Sequence, residues 1–86
     1  GIPAHHPLRP RVEAIMAELV APPDLFDTGD HLPDRTLIRH AIWWRLRAEG
    51  ATYPDIAGAT TGASHSSVHK GVERHQSRLD AAKGAA

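Results

Sequence analysis

TYPDIAGATTGASHSSVHKGVERHQSRL, residues 52–79, has the pattern of a short helix, a tight turn and a longer helix. A T-x-x-D capping pattern at 52–55, with proline in the first turn, predicts a helix over 53–59. Gly62 is expected in the turn that follows, because a residue without Cβ tolerates positive φ. Ser64 is expected to cap the longer helix.

The longer helix has an apolar stripe whose members are spaced alternately three and four residues apart: His65, Val68, Val72, His75 and Leu79. We expect Val68 and Val72 to be buried against Ile56 and Leu46. His75 is expected to be a buried histidine with satisfied hydrogen bonds, and a ligand or pH-sensing role is the alternative.

A second helix is expected N-terminal to this segment, with Asp34 as its N-cap and Gly50 at its C-terminal end. Its main stripe is Leu37, Ala41, Trp44 and Ala48, widened by Ile38, Ile42 and Leu46. This pattern places Trp44 in the core. Trp43 is expected to cover the N-terminal helix or to offer a surface to a partner.

An additional helix is predicted from Pro10 to the proline pair at 22–23, with a stripe formed by Val12, Ile15, Met16, Leu19 and Val20. Residues 1–9 are expected to form a flexible arm. Residues 22–33 are expected to form a loop pinned to the core by Leu25 and Phe26. The tail at 81–86 is expected to fray.

The predicted fold class is therefore all-α, with four helices in one domain over 10–80 and a helix-turn-helix at about 52–80. The 86 residues contain no cysteine, which excludes disulfides and thiolate metal sites. They are too few for a doubly wound cofactor-binding enzyme. No apolar run approaches the length of a membrane span. We expect no cofactor and no membrane partner.

The formal net charge is zero, with ten basic and ten acidic residues, but the charges are unevenly distributed. Residues 1–33 carry two basic and five acidic residues, and residues 34–86 carry eight basic and five acidic ones. An anionic partner would therefore meet the C-terminal part. There the polar face of the longer helix carries Ser66, Ser67, His69, Lys70, Arg74 and Arg78. Such a helix fits the major groove, where cations can contact phosphates.

The chain from 34 to about 75 resembles the C-terminal DNA-binding domain of the bacterial replication initiator DnaA, a Trp-repressor-like helix-turn-helix. Three segments carry the resemblance without a gap: AIWW at 41–44, TYPDIA at 52–57 and GASHSSVHKG at 62–71. They stand over the family patterns A-M-x-L, S-x-P-E-I-G and G-R-D-H-[ST]-T-V-L-H-A. The N-terminal helix is an addition to that pattern.

The resemblance implies sequence-selective binding of double-stranded DNA through the helix that starts near Ser64. It carries His65, Ser66 and Ser67 over as base-contacting residues, and it makes Arg39 the candidate for the family's minor-groove arginine. The family's Arg-Asp pair is replaced here by Ala63 and Ser64. The expected sequence preferences are therefore distinct from those of the initiators and weaker. We expect a bacterial or phage cytoplasmic protein acting in replication initiation, transcription control or phage DNA handling.

Other patterns lead to different hypotheses. His65 and His69 have metal-ligand spacing, with His40 or His75 as a third ligand, but no carboxylate completes the pattern, and no metal is expected. Ser64-His65-Ser66 lacks an orienting acid, so the chain is not expected to be an enzyme.

The alternative function is a helical protein-interaction domain that uses the N-terminal helix and Trp43. The chain is also a candidate for a homodimer or for part of a larger protein.

Overall fold

The computed structural model describes residues 6–27, 32–60 and 64–84. These residues form four α-helices and no strand: α1 (Arg9–Glu18), α2 (Pro33–Ala48), α3 (Tyr53–Ala59) and α4 (His65–Gly84). The predicted all-α class with four helices is confirmed. Helix α2 packs against each of the other three helices, and α3 also packs against α4.

Three of the predicted helix boundaries have the expected hydrogen bonds and backbone. The Asp55 backbone N–H donates to Thr52 Oγ1 at 3.3 Å, which caps α3. The Ser67 backbone N–H donates to Ser64 Oγ at 3.2 Å, which caps α4. Gly50 follows α2 with φ of +102°, a conformation that a residue without Cβ adopts readily.

Other boundaries differ from the expectation. Asp34 does not cap α2, because the helix begins one residue earlier at Pro33, whose ring already fixes a helical φ. Residues 6–8 precede α1 as a turn, and Arg9 is already helical. Helix α4 continues to Gly84, beyond the expected end at 80. Gly62 lies outside the described residues.

The buried apolar core draws on every helix and on the loop after α1: Val12, Ile15, Met16, Leu25, Phe26, Ile42, Trp43, Leu46, Ile56, Ala57, Ala59, Val68 and Val72. The predicted burial of Val68 and Val72 in one cluster with Ile56 and Leu46 is confirmed. Leu25 and Phe26 hold the loop against this cluster, as expected.

The main stripe predicted for α2 is wrong, although Ile42 and Leu46, which were expected to widen it, are buried. Its buried residues are Arg39, His40, Ile42, Trp43 and Leu46. Leu37 is 43% exposed, Ala48 is exposed and Trp44 is only half-buried. Because α2 lies between α1 and α4, two of its faces are covered, and the buried arc is turned away from the one that apolar spacing predicts.

Trp43, expected to cover α1 or to offer an open surface, belongs to the core and is 6% exposed. Its Nε1–H donates to Thr60 Oγ1 at 3.0 Å, and the Thr60 hydroxyl in turn donates to the Ile56 carbonyl at 2.8 Å. A Cβ on Gly71 of α4 would stand 2.6 Å from the Trp43 ring. Glycine at this position therefore allows α4 to pass directly over the indole.

Helix α1 ends in a Schellman turn that has valine where glycine is usual. The Ala21 N–H donates to the Met16 carbonyl at 2.8 Å and the Val20 N–H donates to the Ala17 carbonyl at 3.2 Å. Val20 has φ of +53° and is 86% exposed. A left-handed backbone costs a residue with Cβ about 1–2 kcal/mol, so this corner is strained.

Candidate nucleic-acid interface

The first turn of α4 presents short polar side chains. His65, Ser66 and Ser67 are all exposed. The hydroxyls of Ser64 and Ser67 lie 3.0 Å apart, so Ser67 is part of the cap. The first N–H groups of a helix have no partner within it, and they lie here beside the exposed hydroxyl of Ser66. This end of α4 can approach a base edge or a phosphate closely.

Two cations follow along the same helix. Lys70 and Arg74 are exposed and four residues apart, which makes them neighbours on one face. Neither forms an ion pair within the part of the chain that the structure describes. Their charges therefore face solvent without an ion pair to any described carboxylate.

Arg78, the third expected member of this column, is held differently. It is half-buried, and its Nη2 lies 3.0 Å from Nδ1 of His40 on α2. Burial, together with the charges of Arg78 and Arg74, lowers the pKa of His40 to about 4. The imidazole is therefore neutral near pH 7, and Arg78 keeps its positive charge against an uncharged partner.

Arg39 is not available as a minor-groove arginine in this structure. Its side chain is 8% exposed, and its Nε–H donates to the Leu25 carbonyl at 3.0 Å. The guanidinium ties α2 to the loop after α1. Because its guanidinium is buried against that loop, the structure does not present Arg39 to a DNA groove, contrary to the expectation.

His69 belongs to a row of side chains drawn from three helices. The centroid of its ring lies 4.8 Å from the centroid of the Tyr53 ring. The guanidinium carbon of Arg47 lies 4.7 Å from the same Tyr53 centroid. Nε2 of His69 also lies 2.9 Å from a carboxylate oxygen of Glu73. His69 is thus oriented by neighbours rather than extended toward solvent alone.

The sequence pattern did not indicate Arg47 and Tyr53 as part of this surface. They lie at the end of α2 and the start of α3, and only the packing of these helices beside α4 brings them to His69. The exposed carboxylate of Glu73, on the same polar side of α4, is the feature of this surface that opposes a phosphate.

His75, expected to be buried, is half-buried and lies against Trp44, with ring centroids 5.4 Å apart. Burial and the charge of Arg78 lower its pKa. Trp44 Nε1–H donates to Gln76 Oε1 at 2.7 Å. This tryptophan therefore contributes to the α2–α4 contact at its solvent edge, not in the core as expected.

Among the described residues no group of three histidine, aspartate or glutamate side chains could hold a metal ion. In the same part of the chain no helix is both long and apolar enough to cross a bilayer.

The fold and this surface define an all-α domain of four helices whose last helix carries two exposed cations without an ion pair among the described residues. A scan of protein-family models finds no match for the chain, and searches of curated proteins and of solved structures find none either.

Proposed function

We propose that this protein binds double-stranded DNA, with α3 and α4 acting as a helix-turn-helix and the first half of α4 entering the major groove. The observation that carries the proposal is the exposed run Ser66, Lys70 and Arg74, whose two cations have no carboxylate partner in the described residues. The major groove is about 12 Å wide and admits one helix. Duplex DNA supplies the phosphates that such cations bind.

The roles divide along α4. Ser66, with His65 and Ser67 beside it, would meet base edges at the start of the helix. His69, fixed by Tyr53 and Glu73, would read a neighbouring base. Lys70 and Arg74 would hold phosphates and set the register.

The resemblance to the initiator domain supports the same surface and suggests replication initiation, transcription control or phage DNA handling as the process. Short serine hydroxyls pair with either kind of base and discriminate weakly. The proposal is therefore a binder whose sequence preference is weaker than, and distinct from, that of the initiators.

Fluorescence anisotropy with a labelled duplex, repeated over a series of salt concentrations, tests the DNA proposal. We expect Lys70→Ala and Arg74→Ala each to weaken binding and to lower the salt slope by about one, the signature of one lost phosphate contact. Lys83→Ala is the matched control, because it removes an exposed cation about 14 Å beyond Arg74 along the same helix. Equal binding by the Lys70→Ala/Arg74→Ala double variant and the control would place the DNA surface elsewhere.

Competition tests the sequence preference. The initiator recognition sequence and a scrambled duplex should differ in affinity by less than about a hundredfold at physiological salt. A preference of several hundredfold would show instead that the substitutions at Ala63 and Ser64 left the initiator readout intact.

A second proposed function is protein interaction through α1, and one surface feature favours it. Beside the exposed Val20 lies a shallow hollow of about 440 Å³, lined by Glu13, Met16, Ala17, Val20, Ala21 and Pro23. Trp43 has no part in this surface, because it is buried. Sedimentation velocity over a range of concentrations tests self-association, which Val20→Asp should abolish if the hollow is the contact.

A further inference from the structure

The contact between His40 and Arg78 joins a positively charged guanidinium to an imidazole nitrogen, not to a carboxylate. A guanidinium carries only N–H donors, so His40 Nδ1 must be the acceptor in the 3.0 Å contact with Arg78 Nη2. This fixes the neutral tautomer that has its hydrogen on Nε2. Arg78 is therefore oriented by a hydrogen bond that leaves its whole positive charge uncancelled.

His40 is itself held firmly. It is 8% exposed, and its ring lies 5.7 Å from the Trp43 ring on the next turn of α2. A Cβ on Gly71 would come within 2.8 Å of His40 Cδ2, so α4 passes directly over the imidazole. The acceptor that orients Arg78 thus has little room to move.

The surroundings of this contact are strongly cationic. The charges of Arg78, Arg74 and Arg39, and the neighbouring His75, all act on His40. Arg74 and Arg78 are four residues apart on α4, a spacing that lets both guanidinium groups reach one ligand. Neither forms an ion pair within residues 6–27, 32–60 and 64–84. A half-buried Arg78 and an exposed Arg74 that lie side by side without an ion pair to a described carboxylate favour an anion there.

We propose that His40 is a positioning residue, which holds the Arg78 guanidinium beside Arg74 so that the two arginines form a preformed site for one phosphate. The inference rests on the proposed function for the source of that phosphate, a phosphodiester of duplex DNA beside the groove that α4 enters. We expect this positioning to raise the affinity for phosphate, because an arginine fixed before binding loses less side-chain freedom when the phosphate binds.

Two substitutions of His40 separate positioning from simple packing. His40→Leu keeps an apolar side chain against Trp43 and removes the acceptor. His40→Asn keeps an acceptor oxygen close to the place of Nδ1. We expect His40→Leu to weaken duplex binding about fivefold and His40→Asn to stay within about twofold of the wild type. Circular dichroism of each variant verifies that the helices are intact.

A double-mutant cycle then asks whether His40 acts through Arg78. We expect Arg78→Ala to weaken binding, and His40→Leu to have no further effect in the Arg78→Ala background. Additive losses in the double variant, or duplex binding by His40→Leu equal to that of the wild type, would overturn the positioning role while leaving DNA binding in place.

Inorganic phosphate provides a readout that does not depend on DNA or on the stability of a variant. Titrated into the wild-type protein, it should shift the side-chain Nε–H resonances of Arg74 and Arg78 together, and Lys83→Ala should leave these shifts unchanged. If the protein binds phosphate in this way but no duplex, the site is retained and the proposed function is wrong. If phosphate leaves both resonances in place, the site is wrong, whatever the duplex does.

Discussion

The charged side chains on the two sides of α2 differ in whether they form ion pairs. On the side toward α1, exposed charges are paired: Arg11 lies 2.6 Å from Glu49, and Arg45 lies 2.8 Å from Glu18. The side toward α4 has buried rings, a glycine that admits the facing helix and a neutral histidine. The arginine that meets this histidine has no carboxylate partner among the described residues.

This difference shows what each surface can contribute. Exposed ion pairs contribute little to stability, so the α1 side neutralises its charges at little gain. The guanidinium groups of Arg11 and Arg45 lower the pKa of Glu49 and Glu18. The positive and negative charges on this side therefore neutralise each other within the protein. On the α4 side, Lys70 and Arg74 form no ion pair among the described residues and Arg78 bonds the neutral His40, so these positive charges remain for an external anion.

The largest expected effect comes from acid on the α4 side. The pKa of His40 is about 4 in the folded protein, against an ordinary value of 6.5. Between these two pH values, His40 is protonated in the unfolded chain but not in the folded protein. Stability should therefore be highest above about pH 6.5 and fall as the pH drops toward 4, by about 3 kcal/mol in all and about 2 kcal/mol by about pH 5. His75, whose pKa is also lowered, adds in the same direction.

Urea unfolding between about pH 7.5 and about pH 5 measures this loss in the wild type and in His40→Asn, which has no such proton to bind. The window lies above the range in which the paired carboxylates of the α1 side titrate. An equal pH dependence in both proteins would show that His40 is accessible to protons in the folded state.

A methyl group on Gly71 should give the next largest effect. In Gly71→Ala the new Cβ would stand 2.6 Å from Trp43 and 2.8 Å from His40, both buried. We expect a net loss of about 1–2 kcal/mol, since overpacking outweighs the helix propensity gained. Gly58→Ala is the control: its Cβ would meet only His6, at 3.5 Å, and should be neutral or stabilising. Thermal unfolding of the two variants in parallel decides the matter.

The buried hydrogen bond under the α4 side should have a smaller effect. Thr60→Val leaves the Trp43 indole N–H without its acceptor, at a cost of about 1 kcal/mol after the buried methyl offsets part of the loss. The specific measurement is hydrogen exchange at the indole N–H, which should be protected in the wild type and in Thr60→Ser but not in Thr60→Val. Protection in all three proteins would mean that burial alone shields the indole.

Removing an ion pair on the α1 side should matter least. Arg45→Gln breaks the contact with Glu18 and should lower the stability only slightly at low salt, with the difference vanishing at high salt. Chemical unfolding at both salt concentrations measures it. A large loss of stability, or a loss that does not depend on salt, would mean that this pair contributes substantially to the stability of the fold.

Local signals predicted the boundaries whose causes are local. The hydroxyls of Thr52 and Ser64 cap the helices that follow them, and Gly50 ends α2, because each of these features involves neighbours within a few residues. The exposed face of α4 around Ser66 and Lys70 was equally predictable, since helical spacing alone separates it from the buried valines.

The features of α2 were not predictable in this way. Apolar spacing favoured a stripe through Leu37 and Trp44, yet the core takes Trp43 and buries the polar Arg39 and His40. A hydropathy pattern gives each helix one inner face, whereas α2 is covered on two sides. Its buried polar residues bond partners distant in sequence: Arg39 Nε–H donates to the Leu25 carbonyl, and His40 Nδ1 accepts from Arg78.

The sequence by itself determined the all-α class, the caps that divide α3 from α4 and the cationic face of α4, because these follow from residue type and short-range spacing. Tertiary structure alone decided which tryptophan is buried, that Arg39 faces a loop carbonyl, and that His40 meets Arg78. Those outcomes depend on contacts between residues far apart in the chain: Gly71 lets α4 approach Trp43 and His40 closely, and the loop after α1 brings the Leu25 carbonyl to Arg39.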